Sequence, residues 1–295
     1  QALEKIFESV GLDLWDEIEM KRLDPQYRVI FKSGGYIDAT NNIKVMSDQI
    51  KKFAPEDAQG FSKFMDENRE KLRKMEPCLV NPFLNIFSLI SPRLLKLLPM
   101  VKPHQNLDSY LKRFFKDPRI RLAFSFQSKY LGMSPFVCPS LFSILSFIEY
   151  EYGIYHPIGG CNEITKVMAR VAQDNGVKIK LNEPVEKILF DNKRATGIRT
   201  KNGDYKTDAI VVNADFARAA KTLIPNDRRS RWKDHKIDTK KFSCSTFMLY
   251  LGIKGNYDVP HHNVYISEDY QSNLQDIERR HVLSKLPSFY VQNAC

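Results

Sequence analysis

The 295-residue sequence predicts a mixed α/β chain with α+β character, on three observations. Short apolar runs flank a glycine turn near the start, as in a β-hairpin. A long middle stretch carries apolar residues at helical spacing between prolines. After Gly153, helix and strand patterns alternate and lead to a continuous β-branched run, the mark of a strand buried on both faces. Hydrophobic residues make up 43% and charged residues 27%, so the chain can bury a core and is not disordered.

The elements follow in order. Residues 26–31 (QYRVIF) and 36–38 (YID) enclose Ser33-Gly34-Gly35 and read as a hairpin. From Ser47 the pattern turns helical. Pro55, Glu56 and Asp57 suit a first helical turn, where a missing N–H does no harm and negative charge is favoured. Phe61, Phe64, Met65, Asn68 and Leu72 continue at helical spacing until Pro77. Residues 78–150 are apolar and basic helical segments broken by prolines. Ile164, Val167, Met168, Val171 and Ala172 line one face of the next helix, and Gly176 stands where a C-terminal cap belongs. Extended runs come at 177–181, 185–190 and 195–200, with a hairpin turn at Asn202-Gly203. Ile210, Val211 and Val212 centre a buried strand over 208–215. That order resembles the second half of a nucleotide-binding α/β domain. Strands return at 245–253, 262–267 and 288–294. The domain reading is therefore strands over 1–46, a helical basic block over 47–150, an α/β part over 151–225 and further strands over 226–295.

Net charge is +10, and its distribution matters more than its total. Between Arg93 and Lys129 nine basic residues face only Asp108 and Asp117, a patch that attracts anions. Just before it, Leu79 to Val101 is very apolar but interrupted by three prolines, Arg93 and Lys96. It is not a spanning helix, which needs about 20 unbroken apolar residues. Its composition suits a segment lying in a membrane interface, or a buried helix pair with a solvated rim. Nucleic-acid binding rests on charge alone, since leucines and phenylalanines interrupt the basic stretch and no reader motif is present. The five cysteines are scattered without a C-x-x-C, which argues for free thiols. His261-His262 lacks the spacing of a metal motif and reads as a polar turn, so no metal is expected.

Neither G-x-G-x-x-G nor G-x-x-x-x-G-K occurs, so no phosphate cradle is visible. No serine lies in a G-x-S-x-G elbow. The glycine pair of YHPIGGCNEITK (155–166) serves either a structural turn or a close approach to a ligand.

Four segments in order carry a family resemblance. They are RLDPQYRVIFKSGGYIDAT (22–40), APEDAQGFSKFM (54–65), FSFQSKYLGMSPF (124–136) leading into EYGIYHPIGGCNEITKVMARVAQDNGVKIKLNEPVEKI (151–188), and NGDYKTDAIVVNAD (202–215). With these the chain resembles the bacterial-type phytoene desaturases, FAD-dependent enzymes of carotenoid synthesis in the amine-oxidase-like flavoprotein superfamily. Related carotenoid isomerases and saturases share the same segments.

The resemblance implies part of an FAD-binding, Rossmann-like domain, a β-sheet substrate domain and a helical, membrane-facing insertion. Family members begin with a βαβ unit bearing G-x-G-x-x-G and end with a glycine-rich flavin segment. This chain, from Gln1 to PSFYVQNAC, then looks like the middle of such an enzyme and is not expected to retain FAD alone. The resemblance puts a backbone contact to adenine at Val185 and brings Asn213, Ala214 and Asp215 near the cofactor. It brings Gly159 and Gly160 to the re-entry into the cofactor domain, beside the isoalloxazine and the polyene path. Tyr155 and His156 either line that path or pack at the domain junction. No family acid or base can be matched, so no catalytic residue is assigned. The implied function is desaturation of a long polyene by hydride transfer to flavin. The implied location is peripheral, on the cytoplasmic side of the cell membrane. A carotenoid isomerase or saturase, or a non-catalytic prenyl-lipid and membrane-binding module, are the alternatives.

Overall fold

The computed structural model describes residues 2–79, 102 and 104–294. In chain order the strands are β1 (Met20–Arg22), β2 (Tyr27–Phe31), β3 (Tyr36–Ala39), β4 (Tyr155–Pro157), β5 (Val185–Asp191), β6 (Arg194–Thr200), β7 (Gly203–Lys206), β8 (His262–Ile266) and β9 (Phe289–Gln292). The chain divides into two units, residues 1–164 with 243–295, and residues 165–242. The mixed α/β class read from the sequence holds.

The first unit contains a sheet in the order β3-β2-β8-β9 and the pair β1-β4. β2 and β3 form the expected antiparallel hairpin. β8 joins β2 in parallel, with Val29 opposite Val264, and β9 closes the edge antiparallel to β8. Along β2, Tyr27, Val29 and Phe31 turn inward, as the period of two requires for a sheet covered on one face. The covering layer is helical. Asn42 caps the helix Ile43–Phe53 by accepting from Val45 N (3.1 Å), so that helix starts before Ser47. Pro55–Asp57 is a separate 3₁₀ turn, and the long helix Gly60–Leu79 runs on past Pro77. Helix Ser143–Tyr152 packs alongside.

Aromatic rings fill the space between. Phe124 stacks on Phe115 (4.6 Å) and on Tyr150 (4.9 Å), and meets Phe64 edge-on (5.3 Å). Phe61, Phe64, Phe115 and Phe124 are fully buried, each contributing roughly 1.5–3 kcal/mol by removal from water. Among the described residues of this unit, two side chains of charged type, Asp57 and Lys71, are buried. Asp57 accepts from Lys116 N and Asp117 N at 2.7–2.8 Å. Lys71 donates to Ser143 Oγ (2.9 Å) and Asn68 Oδ1 (3.1 Å), with its ammonium 4.0 Å above the Tyr110 ring.

The second unit holds the antiparallel sheet β5-β6-β7. The tight turn into β7 is Lys201-Asn202, because Thr200 pairs with Gly203; the glycine opens the strand, one position later than the spacing predicts. The helix Asn162–Asp174 has its predicted spacing. It ends in two bonds that fix Gly176 as its cap, Gly176 N to Gln173 O (2.9 Å) and Val177 N to Ala172 O (3.0 Å). Gly176 has φ +85, a conformation that glycine enters without strain.

Three expected strands are not formed. Residues 177–181, 208–215 and 245–253 run without a ladder, with Leu181 81%, Val211 93% and Phe247 89% exposed. A strand is stable only through neighbours that take up its N–H and C=O groups. Among the described residues no strand lies beside these three segments, so their β-branched and aromatic side chains stay in solvent. The apolar run 79–101 lies outside the described residues, apart from the backbone of Leu79. None of the described helices is long and apolar enough to cross a membrane.

Candidate functional site

The residues singled out in the sequence fall into two groups, one in each unit. In the first unit, β4 pairs with β1, placing Tyr155 opposite Arg22 and His156 opposite Lys21. Tyr155 is 40% exposed and meets Trp15 edge-to-face at 5.2 Å. Beyond β4 the chain reverses in a turn closed by Gly160 N to Pro157 O (3.0 Å). Gly159 and Gly160 have φ +89 and +94, so both glycines are needed by the turn itself. A Cβ on Gly159 would also stand 3.0 Å from Glu163 Cγ, whereas one on Gly160 meets nothing within 4 Å.

His156 continues into a row of rings that the sequence did not reveal. Its imidazole lies 4.3 Å from that of His261, which lies 4.3 Å from that of His262. His261 Nδ1 and His262 Nε2 are 3.1 Å apart and share one hydrogen bond. His262 Nδ1 bonds the Tyr290 hydroxyl, and the two rings stack. Tyr265 and Phe289 stack at 4.7 Å on the other face of the β8–β9 pair. The row exists because β8 and β9 pair with Val264 opposite Tyr290, bringing residues 28 positions apart into contact.

Electrostatics favours the neutral rings. Burial, then the His261 and His156 rings, holds the His262 imidazole down at about 4. Burial, then His156, lowers His261 as well. Burial and the nearby Cys161 thiol raise the Tyr290 phenol. His261 Nε2 is buried without a hydrogen-bond partner. Among the described residues no group of three or more His, Cys, Asp or Glu side chains is arranged to hold a metal.

In the second unit, Val185 opens the edge strand β5 opposite Thr200 and is 36% exposed. Asn213 and Ala214 are exposed in irregular chain. Asp215 caps the helix Phe216–Leu223, its Oδ1 accepting from Arg218 N at 2.8 Å.

The basic patch is largely neutralised where it is described. Arg113 pairs with Glu67, Lys112 and Arg121 with Asp108, Arg119 with Asp117 and Lys129 with Glu278. Arg93 and Lys96 lie outside the described residues.

The model of the flavin containing amine oxidoreductases matches residues 2–243. The chain belongs to that family. Members of the flavin containing amine oxidoreductases carry a flavin, and FAD is the family's cofactor. Over 297 residues the chain is 36% identical to a 4,4'-diapophytoene desaturase (4,4'-diapolycopene-forming) of Methylomonas sp, covering 99% of this chain and 57% of the relative. It is 37% identical to an all-trans-zeta-carotene desaturase of Myxococcus xanthus, covering 99% of this chain and 56% of that protein. A zeta-carotene-forming phytoene desaturase of Myxococcus xanthus is 32% identical, over 99% of this chain and 56% of that relative. This chain thus spans about half the length of the curated relatives it matches. A solved oxidoreductase from Methanosarcina mazei is 18% identical with a TM-score of 0.41, over 70% of this chain and 42% of its own, too loose a likeness to carry a conclusion.

Proposed function

We propose that this chain is part of an FAD-dependent desaturase acting on a long carotenoid-type polyene. The observation that carries the reading is the match over 99% of the chain to relatives named as carotenoid desaturases. The row of rings from His156 through His261 and His262 to Tyr290 supports it, since flat conjugated ligands lie well against aromatic faces.

Bound flavin supplies a hydride acceptor, which no side chain can. In this chain the edge strand β5 suits the adenine end of FAD, because the backbone groups on the side of β5 away from β6 lie outside the ladder. Val185 is the proposed contact, and Asn213, Ala214 and Asp215 are proposed to lie along the cofactor. Gly159 and Gly160 keep the backbone thin beside the substrate, and Tyr155 and His156 line its path.

The reading extends to a peripheral position on the cytoplasmic face of the membrane, through the apolar segment 79–101 and its flanking cations, because the substrate is insoluble in water. The test is expression of the gene with its native upstream and downstream sequence. A yellow protein whose flavin bands bleach anaerobically on incubation with phytoene liposomes, and which floats with them, is expected. Colourless protein, or a flavin that polyene does not reduce, sinks the desaturase reading.

A further inference from the structure

A sheet has two edges, and each leaves a row of unpaired backbone N–H and C=O groups that invites another strand. In the sheet β3-β2-β8-β9 the two edges differ. On β3, Asp38 N donates to Gln49 Oε1 (2.8 Å) and Gln49 Nε2 donates to Asp38 O (2.7 Å). One carboxamide thus takes both groups, as a neighbouring strand would. Among the described residues no side chain does this for β9. Asn293 N donates to His261 O (2.9 Å), one register step beyond the pair His262–Gln292. Antiparallel pairs alternate between bonded and unbonded positions. The backbone groups of Phe289 and Val291 therefore face β8, and those of Tyr290 and Gln292 point away from it.

The same unit holds a strand-like segment without a partner, residues 245–253. Phe247, Leu249, Leu251 and Ile253 repeat at a spacing of two, the period of one strand face, and are 67–89% exposed. Both ends of this segment are held near β9. At its start, Ser243 lies against Gly132, where an added Cβ would stand 2.7 Å from Ser243 Cβ. Tyr130, in the turn that Gly132 closes, lies within electrostatic reach of Tyr290. At its end, Asn293 Nδ2 donates to Val259 O (3.2 Å) and Tyr257 O (3.5 Å). That is where β9 finishes and β8 begins, with His262 opposite Gln292. A strand over 245–253 that enters β8 through residues 254–261 therefore runs parallel to β9. It spans roughly 30 Å when extended, ample for the four residues of β9.

We propose that the free edge of β9 is a strand-addition surface and that its occupant is the chain's own segment 245–253, added parallel to β9 as the fifth strand of the sheet. In this structure the segment has no ladder and stands off that edge. On docking, its backbone takes up the outward N–H and C=O of Tyr290 and Gln292, and one row of its apolar side chains leaves water. The strap also closes the edge that Gln49 does not, so the sheet no longer offers a template to another chain. All of these groups belong to the first unit, and none of them depends on the desaturase reading.

Hydrogen exchange of the complete protein, read by mass spectrometry, tests the docking. Peptides over 245–253 and 289–292 are expected to exchange at least about tenfold more slowly than unstructured chain. Exchange of 245–253 at the unstructured rate overturns the proposal. Protection of 289–292 alone also overturns it, since another segment then holds the edge. Gln292→Pro removes one outward N–H and spares the ladder to β8. Protection of 245–253 should then fall about tenfold while β8 stays protected. Leu249→Pro, in the exposed segment, is the reciprocal variant and should free the outward amides of Tyr290 and Gln292. If Gln292→Pro unfolds β8, Leu249→Pro decides alone. Protection that survives these variants places the segment elsewhere and overturns the proposal. Protection that rises with protein concentration, with a dimer in sedimentation, gives the edge to a second copy and overturns docking within one chain.

Discussion

Nδ1 of His261 lies 3.1 Å from Nε2 of His262, so a single proton can sit between the two rings. Charging both imidazoles would break that bond and set two cations side by side. With both rings charged neither nitrogen can accept, which ties the junction of β8 and β9 to pH.

The first prediction concerns acid stability. His262 is held at about 4 in the folded chain against an ordinary 6.5, and His261 is also lowered. The unfolded chain therefore takes up protons first as pH falls. Stability is complete above about pH 6.5 and declines through the window down to about 4. Urea midpoints between about pH 7 and 4.5 should fall, and His262→Gln should reduce that fall. An identical pH slope in the variant counts against the assignment.

Lys71 gives the opposite window. Burial lowers its ammonium to about 8 from 10.5, so the unfolded chain holds a proton that the folded chain gives up. Stability should rise as pH climbs from about 8 to 10.5. Lys71→Met removes a cost of at most about 3 kcal/mol at neutral pH, offset in part by the lost bonds to Ser143 and Asn68. Denaturation at about pH 7 and pH 10 checks this: the alkaline gain should be present in wild type and missing from the variant.

Phe124 joins Phe115, Phe64 and Tyr150 in one fully buried stack. Phe124→Ala leaves a cavity that rigid rings cannot close, and should cost about 3–5 kcal/mol. A loss under about 1 kcal/mol in equilibrium unfolding would show that the stack collapses freely.

The two glycines of the β4 turn should separate. Both need positive φ, so Gly160→Ala should cost about 1–2 kcal/mol from backbone strain alone. Gly159→Ala adds crowding against Glu163 Cγ and should cost more. Equal melting temperatures for the two variants would contradict this.

Much of the fold was legible because it is local. The β2–β3 hairpin, the helix Asn162–Asp174 and its Gly176 cap follow from spacing and glycine placement within a few residues. What failed was anything needing a distant neighbour. Ile210, Val211 and Val212 have the residues of a buried strand, yet a run becomes a strand only beside another. His261-His262 looked like a turn because their partners, His156 and Tyr290, come from β4 and β9. Tyr155 and His156 are singled out by the glycine pair that follows them, whereas Trp15 and Tyr290, the ring partners of Tyr155 and His262, carry no such signal.

The parallel pairing of Val29 with Val264 also has a consequence for synthesis. The hairpin β2–β3 leaves the ribosome with one edge of β2 unpaired. Its neighbour follows roughly 230 residues later, on the order of ten to fifty seconds at ordinary elongation rates. Through that interval Val29 and Phe31 belong to a half-built sheet that any extended chain could extend. The nascent protein therefore depends on shielding during translation more than its finished stability suggests, and slowing synthesis between β3 and β8 lengthens its exposure.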